Sequence, residues 1–149
     1  MATVVQKYGG SSVANADKIK NVARRVARAK SGDNQVVVVV SAMGDTTDGL
    51  IDLAHQITDS PDDREMDMLL STGEIVSTTL LAMALRTLGQ EAISLSGAQA
   101  GIHTNSVYTK AQILRVEPRR ILKELAQGRV AIVAGFQGIT EEMDITTLG

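Results

Sequence analysis

The sequence predicts an α/β fold with a mainly parallel central sheet, and three observations predict it. The run Gln35–Ser41 holds five consecutive valines, and a strand apolar on both faces marks a parallel sheet covered by helices on each side. Two shorter runs of the same kind, Ala92–Leu95 and Val130–Ala134, follow it. Segments of helical period separate these runs, so strand and helix alternate at least three times.

The first strand spans Thr3–Tyr8, apolar and β-branched, and ends at Gly9-Gly10. A helix follows from about Asn15 to Lys30, with Asn15 as N-cap and Ile19, Val22, Val26 and Ala29 on one face. Arg24, Arg25, Arg28 and Lys30 crowd its second half, where the dipole favours cations and a solvated face is the usual outcome. Gly32-Asp33-Asn34 then turns the chain into the valine strand. Further helices are expected over about Thr47–Thr58, about Asp67–Leu88 and Pro118–Gln127. The long one should bury Leu69, Leu70, Val76, Leu80, Leu81, Ala84, Leu85 and Leu88 and stop at Gly89. Pro118 suits a first helical turn and Gly128 a helix stop. The stretch Gly101–Arg115 reads as a loop with short strands. Thr146-Thr147-Leu148-Gly149 follows a strand and turn without a closing helix, the pattern of an interrupted domain.

A chain of 149 residues has the size of one domain, and 44% hydrophobic against 21% charged residues excludes intrinsic disorder. Fifteen Lys+Arg face seventeen Asp+Glu, and only Tyr8, Tyr108 and Phe136 are aromatic. Neither a basic face for phosphate backbones nor a platform for base stacking is available, so no nucleic-acid partner is expected. The lack of cysteine excludes disulfides and thiolate metal sites. No apolar run approaches the roughly 20 residues of a spanning helix, and no basic region precedes an apolar stretch at the N-terminus. A cytoplasmic protein without a membrane partner is the expectation.

In open parallel sheets, ligands bind beyond the carboxyl ends of the strands. Here those ends read Gly9-Gly10-Ser11-Ser12, Ser41-Ala42-Met43-Gly44-Asp45-Thr46-Thr47-Asp48-Gly49, Ser96-Gly97-Ala98-Gln99-Ala100-Gly101 and Gly135-Phe136-Gln137-Gly138. One such loop is explained as a tight turn; four on one sheet edge are better explained by a ligand. Gly9-Gly10-Ser11-Ser12 offers backbone N–H groups and hydroxyls near a helix start, and the ammonium of Lys7 can span two phosphates. The pattern is neither a P-loop nor a dinucleotide fingerprint. His55 and His103 lack metal-ligand spacing, and no Gly-x-Ser-x-Gly elbow supports a hydrolase. Glu65, Asp67 and Glu74 read as partners of a helix N-terminus. Glu74 also follows Ser71-Thr72-Gly73, a small-residue patch that a ligand can approach, so a ligand role stands beside an ordinary solvated carboxylate.

Several motifs together resemble aspartate kinase, along the whole chain and in the family's order. They are Lys7-Tyr8-Gly9-Gly10-Ser11-Ser12, Ser41-Ala42-Met43-Gly44-Asp45-Thr46-Thr47-Asp48, Glu65-Met66-Asp67-Met68-Leu69-Leu70-Ser71-Thr72-Gly73-Glu74, Gly97-Ala98-Gln99-Ala100-Gly101 and Val133-Ala134-Gly135-Phe136-Gln137-Gly138. The resemblance implies the amino-acid kinase fold, a three-layer αβα sandwich with an eight-stranded, mainly parallel sheet, here truncated. It implies transfer of the γ-phosphoryl group of ATP, carried with Mg2+, to the β-carboxylate of L-aspartate, giving 4-phospho-L-aspartate for lysine, threonine and methionine synthesis.

By the same resemblance Lys7 is the catalytic lysine. With Tyr8, Gly9, Gly10 and Ser11 it holds the ATP phosphates, and Ser41, Thr47 and Glu74 hold aspartate. No metal ligand is assigned within the chain. A carboxylate acceptor, with a pKa near 4, is already an ionised nucleophile and needs no general base. Catalysis then rests on alignment and on neutralising charge. Glu74 would pair with the α-ammonium of aspartate. In the family an Arg-Gly-Gly-Ser-Asp segment, a catalytic aspartate, an adenine pocket and regulatory ACT domains follow the Thr-Thr-Leu-Gly motif. The expectation is therefore the N-terminal portion of a catalytic domain, inactive alone, from a parent that oligomerises through its regulatory domains. Two alternatives remain: another kinase of this fold, acting on glutamate, acetylglutamate, carbamate or a nucleoside monophosphate, or a non-catalytic assembly piece of a larger kinase.

Overall fold

The computed structural model describes residues 1–149. Its elements run β1 (Thr3–Tyr8), α1 (Ala16–Ser31), β2 (Gln35–Val40), α2 (Thr46–Ile57), α3 (Asp63–Thr87), β3 (Ala92–Leu95), β4 (Ile102–Thr104), β5 (Ile113–Val116), α4 (Arg119–Ala126), β6 (Val130–Ala134), β7 (Gln137–Ile139) and β8 (Ile145–Thr147), with a 3-10 turn at Gly10–Val13. Four strands form a wholly parallel central sheet in the order β1-β2-β6-β3.

The valine run explains the layering. Val36, Val38 and Val40 are fully buried and join Ile19, Val22 and Val26 of α1 and Leu81 and Leu85 of α3 in one core. Val37 points the other way and packs with Leu95, Leu125, Ala131 and Val133 beneath α4. Each buried valine stabilises the fold by about 1.5–3 kcal/mol, and both faces of β2 need a helical layer to achieve it. β1 is an edge strand, and Thr3, Val5 and Lys7 remain exposed on one face while Tyr8 turns toward α1.

Asn15 caps α1 as the sequence suggests, its side chain accepting from the Lys18 N–H at 2.9 Å. Helix α3 departs from expectation in two ways. It begins at Asp63, not near Asp67, because Asp62 caps it by accepting from the Glu65 N–H at 3.0 Å. Apolar periodicity overlooks such a polar first turn. Its buried face is also rotated: Val76, Leu80 and Leu88 are exposed, while Asp67, Ser71, Glu74, Ser77 and Thr78 lie inside with Leu81 and Leu85. The N-terminal half of α3 meets the polar strand ends rather than the apolar sheet. There its small and polar side chains are hydrogen-bonded, as buried polar groups must be.

By length and composition α3 is apolar enough to cross a membrane, with mean hydropathy 1.5 over 18 residues. No uninterrupted apolar run signalled this, because its leucines and methionines alternate with Ser, Thr and Gly. In the fold it is the central helix, packed on α1, β3, β6 and β8. Pro118 precedes α4 as its N-cap instead of entering the first turn.

The remaining strands form a second, mixed sheet in the order β5-β4-β7-β8. This chain thus divides its eight strands between two sheets, four of them in the parallel central one. The division occurs at Phe136, whose φ of 58° turns the chain between β6 and β7. Asp67, fully buried, accepts from the N–H groups of Thr109 and Thr147, each at 2.9 Å to Oδ2, and so ties the second sheet to α3.

Candidate functional site

The parallel register leaves the carboxyl ends of β1, β2 and β6 at one edge, where their loops interlock. The Ser41 N–H donates to the Tyr8 carbonyl at 3.1 Å, and the Gly44 N–H donates to the Gly10 carbonyl at 2.9 Å. A Cβ on Gly10 would lie 2.9 Å from the Ala42 carbonyl oxygen and 3.0 Å from that of Gly44. Glycine alone permits this approach.

The strand alternation separates the candidates at the end of β1. The Lys7 ammonium lies 4.6 Å from the centroid of the Phe136 ring. Tyr8 points to the opposite face, packs against the α1-side core, and donates its hydroxyl to Gln6 Oε1 at 3.0 Å. Burial pushes the Tyr8 pKa up, opposed by Arg25. Only the main chain of Tyr8 therefore remains at the strand end. Ser11 is exposed, and its carbonyl accepts from Lys18 Nζ at 3.1 Å.

Ser41, Thr47 and Glu74 come from the end of β2, the first turn of α2 and the middle of α3. The fold gathers all three around one cavity of about 260 Å³, closed by Ala42, Leu70, Phe136 and Thr147. Ser77 Oγ donates to the Ser41 carbonyl at 2.7 Å and fixes the loop wall. Glu74 is 8% exposed, and its side-chain partner is Gln137, whose Nε2 donates to Oε1 at 3.0 Å. Burial pushes the Glu74 carboxyl up to about 7, opposed by the Gln137 hydrogen bond.

Phe136, Gln137 and Thr147 were not singled out from sequence as site residues. Phe136 and Gln137 carried a signal, lying between Gly135 and Gly138 in a strand-end loop; Thr147, in a three-residue strand, carried only its place in the Thr-Thr-Leu-Gly motif. The arrangement suits a small ligand with a cationic end toward Glu74 and an anionic end toward the hydroxyls. Phe136 walls the cavity and also underlies the Lys7 ammonium, so the cation adjoins the cavity.

A family model described as the amino acid kinase family matches residues 2–149. The chain belongs to the amino acid kinase family. Among its relatives in that family, the aspartokinase of Bacillus sp. (strain MGA3) is 57% identical over 149 residues, covering 100% of this chain and 36% of that protein. The aspartokinase of Mycolicibacterium smegmatis is 53% identical over 150 residues, again over 36% of its length. This amino acid kinase chain thus spans about a third of the length of the curated relatives it matches. Of solved structures, the Synechocystis aspartate kinase superposes with a TM-score of 0.80 at 50% identity, over 97% of this chain and 24% of that one. Aspartokinase III of E. coli, solved with aspartate and ADP, gives 0.85 at 22% identity, a likeness of fold, over 100% and 44% of the two chains.

Proposed function

We propose that residues 1–149 form the N-terminal part of an aspartate kinase catalytic domain. The reaction joins a β-carboxylate oxygen of L-aspartate to the γ-phosphorus of ATP as the β–γ bridging P–O bond breaks and ADP leaves. Lys7 neutralises charge on the moving phosphoryl group, and the main chain of Tyr8, Gly9, Gly10 and Ser11 lies along the phosphates. Glu74 takes the α-ammonium, and the hydroxyls of Ser41 and Thr47 donate to substrate oxygens. Phosphoryl transfer asks mainly for alignment and charge stabilisation, which these groups can supply without a general base. Mg2+ is proposed as the nucleotide's own companion, held mainly by phosphates.

The observation that carries the proposal is the buried Glu74, with Ser41 and Thr47, facing a cavity that shares Phe136 with Lys7. An acceptor without a free ammonium, such as an acetylated amino acid or a nucleotide, would leave Glu74 buried and unpaired, a costly arrangement. Identity of 50–57% to aspartokinases supports the same reading. The test is hydroxamate formation by the complete polypeptide with ATP and a panel of carboxylate acceptors. Turnover dependent on aspartate is expected, and turnover with another acceptor alone would refute the proposal.

A further inference from the structure

We infer that Gln137 is a positioning residue that aims the Glu74 carboxylate into the cavity. This rests on the functional reading above. Gln137 is 3% exposed, and every hydrogen-bonding atom of its amide is engaged. Nε2 donates to Glu74 Oε1 at 3.0 Å and to the Ser71 carbonyl at 3.3 Å, while Oε1 accepts from the Gly97 N–H at 3.0 Å. These partners decide the amide's orientation. Flipped, its oxygen would face a carboxylate and a carbonyl, and its NH2 would face an N–H. The backbone is equally constrained, since a Cβ on Gly97 would lie 2.3 Å from the Gln137 carbonyl oxygen. One side chain therefore joins α3, the loop after β3 and the start of β7, and its NH2 meets the carboxylate proposed to bind the ammonium.

A positioning role differs measurably from a purely structural one. The amide stabilises the ionised form of Glu74 against its burial, so losing the donor should leave Glu74 neutral at higher pH. The other residues lining the cavity carry no titratable group, and the adjoining cation is Lys7. In the complete polypeptide, Gln137→Glu keeps the shape and the acceptor for Gly97 but replaces the donor with a second carboxyl. Gln137→Met removes the hydrogen bonds without adding charge. For both, the KM for aspartate should rise at least about tenfold at pH 7.5, with the KM for ATP within about twofold. The pH at which aspartate binding strengthens should move upward. Folded variants with an unchanged aspartate KM and pH profile, or with equal losses for both substrates, would overturn the inference.

A second measurement does not depend on whether those variants fold. In wild-type protein with nitrogen-labelled glutamine, the Gln137 side-chain NH2 resonances should shift with a midpoint near pH 7. Glu74→Gln should abolish that midpoint. An NH2 signal that ignores the titration of Glu74 would overturn the inference. Wild-type protein that never phosphorylates aspartate would instead refute the functional reading, and the amide titration would still decide whether Gln137 is coupled to Glu74.

Discussion

The Lys7 ammonium rests 4.6 Å from the centre of the Phe136 ring, so the cation at the end of β1 touches the wall of the Glu74 cavity. At an exposed site such a contact is worth only about 0.5–1 kcal/mol. It parks Lys7 beside the cavity and is weak enough to yield to the phosphate contact proposed above.

Replacing Lys7 with Ala in the complete polypeptide should lower turnover about 100- to 1,000-fold, the usual loss for one electrostatic contact made in the transition state. The KM for aspartate should change little. Steady-state kinetics with turnover within about threefold of wild type would refute the role of Lys7.

Glu74→Gln preserves shape but removes the charge proposed to face the α-ammonium of aspartate. A charge-assisted contact of about 1.5–3 kcal/mol corresponds to a rise in the aspartate KM of roughly 10- to 150-fold. The KM for ATP should hold. A variant that lost nucleotide affinity instead would move Glu74 out of the aspartate site.

The same residue predicts a pH dependence of stability. Glu74 titrates near 4.5 when unfolded and near 7 in the fold, so between these values the folded protein binds the extra proton. Stability should therefore fall as pH rises through that window, by about 1.4 kcal/mol per pH unit at most, and stay lower above it. Urea unfolding of wild type and Glu74→Gln at pH 5 and pH 8 checks this. The variant should gain stability relative to wild type at pH 8 by about 1–3 kcal/mol, and parallel behaviour at both pH values would contradict the assignment.

Asp67→Asn tests the tie between α3 and the second sheet. Asp67 Oδ2 accepts from both Thr109 and Thr147 N–H groups at 2.9 Å. The replacement can offer its oxygen there only by aiming its NH2 into a fully buried site. A loss of about 1–3 kcal/mol in chemical denaturation is expected. Amide exchange should quicken at Thr109 and Thr147, and unchanged protection there would refute the tie.

The central sheet was legible because its strands are dense in β-branched residues. β1, β3 and β6 fall at their expected boundaries, and β2 ends one residue early, leaving Ser41 in the loop. Ser41, Thr47 and Glu74 were also legible, and they meet at one cavity despite their separation in sequence. The face of α3 was not, because its leucines suggested a uniformly apolar stripe. The true interior of its first half is Asp67, Ser71, Glu74 and Ser77, whose burial is made tolerable by Thr109, Thr147, Gln137 and Ser41 from distant segments. Periodicity cannot report partners 36 to 80 residues away. The strands of the second sheet have only three or four residues, too few for a pattern to emerge.

On the proposed reading, the polar interior of α3 places heat resistance and catalysis under opposed selection. Laboratory evolution for survival at high temperature would gain by neutralising Glu74, since its desolvated charge opposes folding at neutral pH. Selection for growth on the product of the proposed reaction would restore the carboxylate. A lineage screened alternately by heat and by growth should therefore gain its tolerance in the apolar second half of the helix, around Leu81 and Leu85, while the turn carrying Ser71, Glu74 and Ser77 stays as it is.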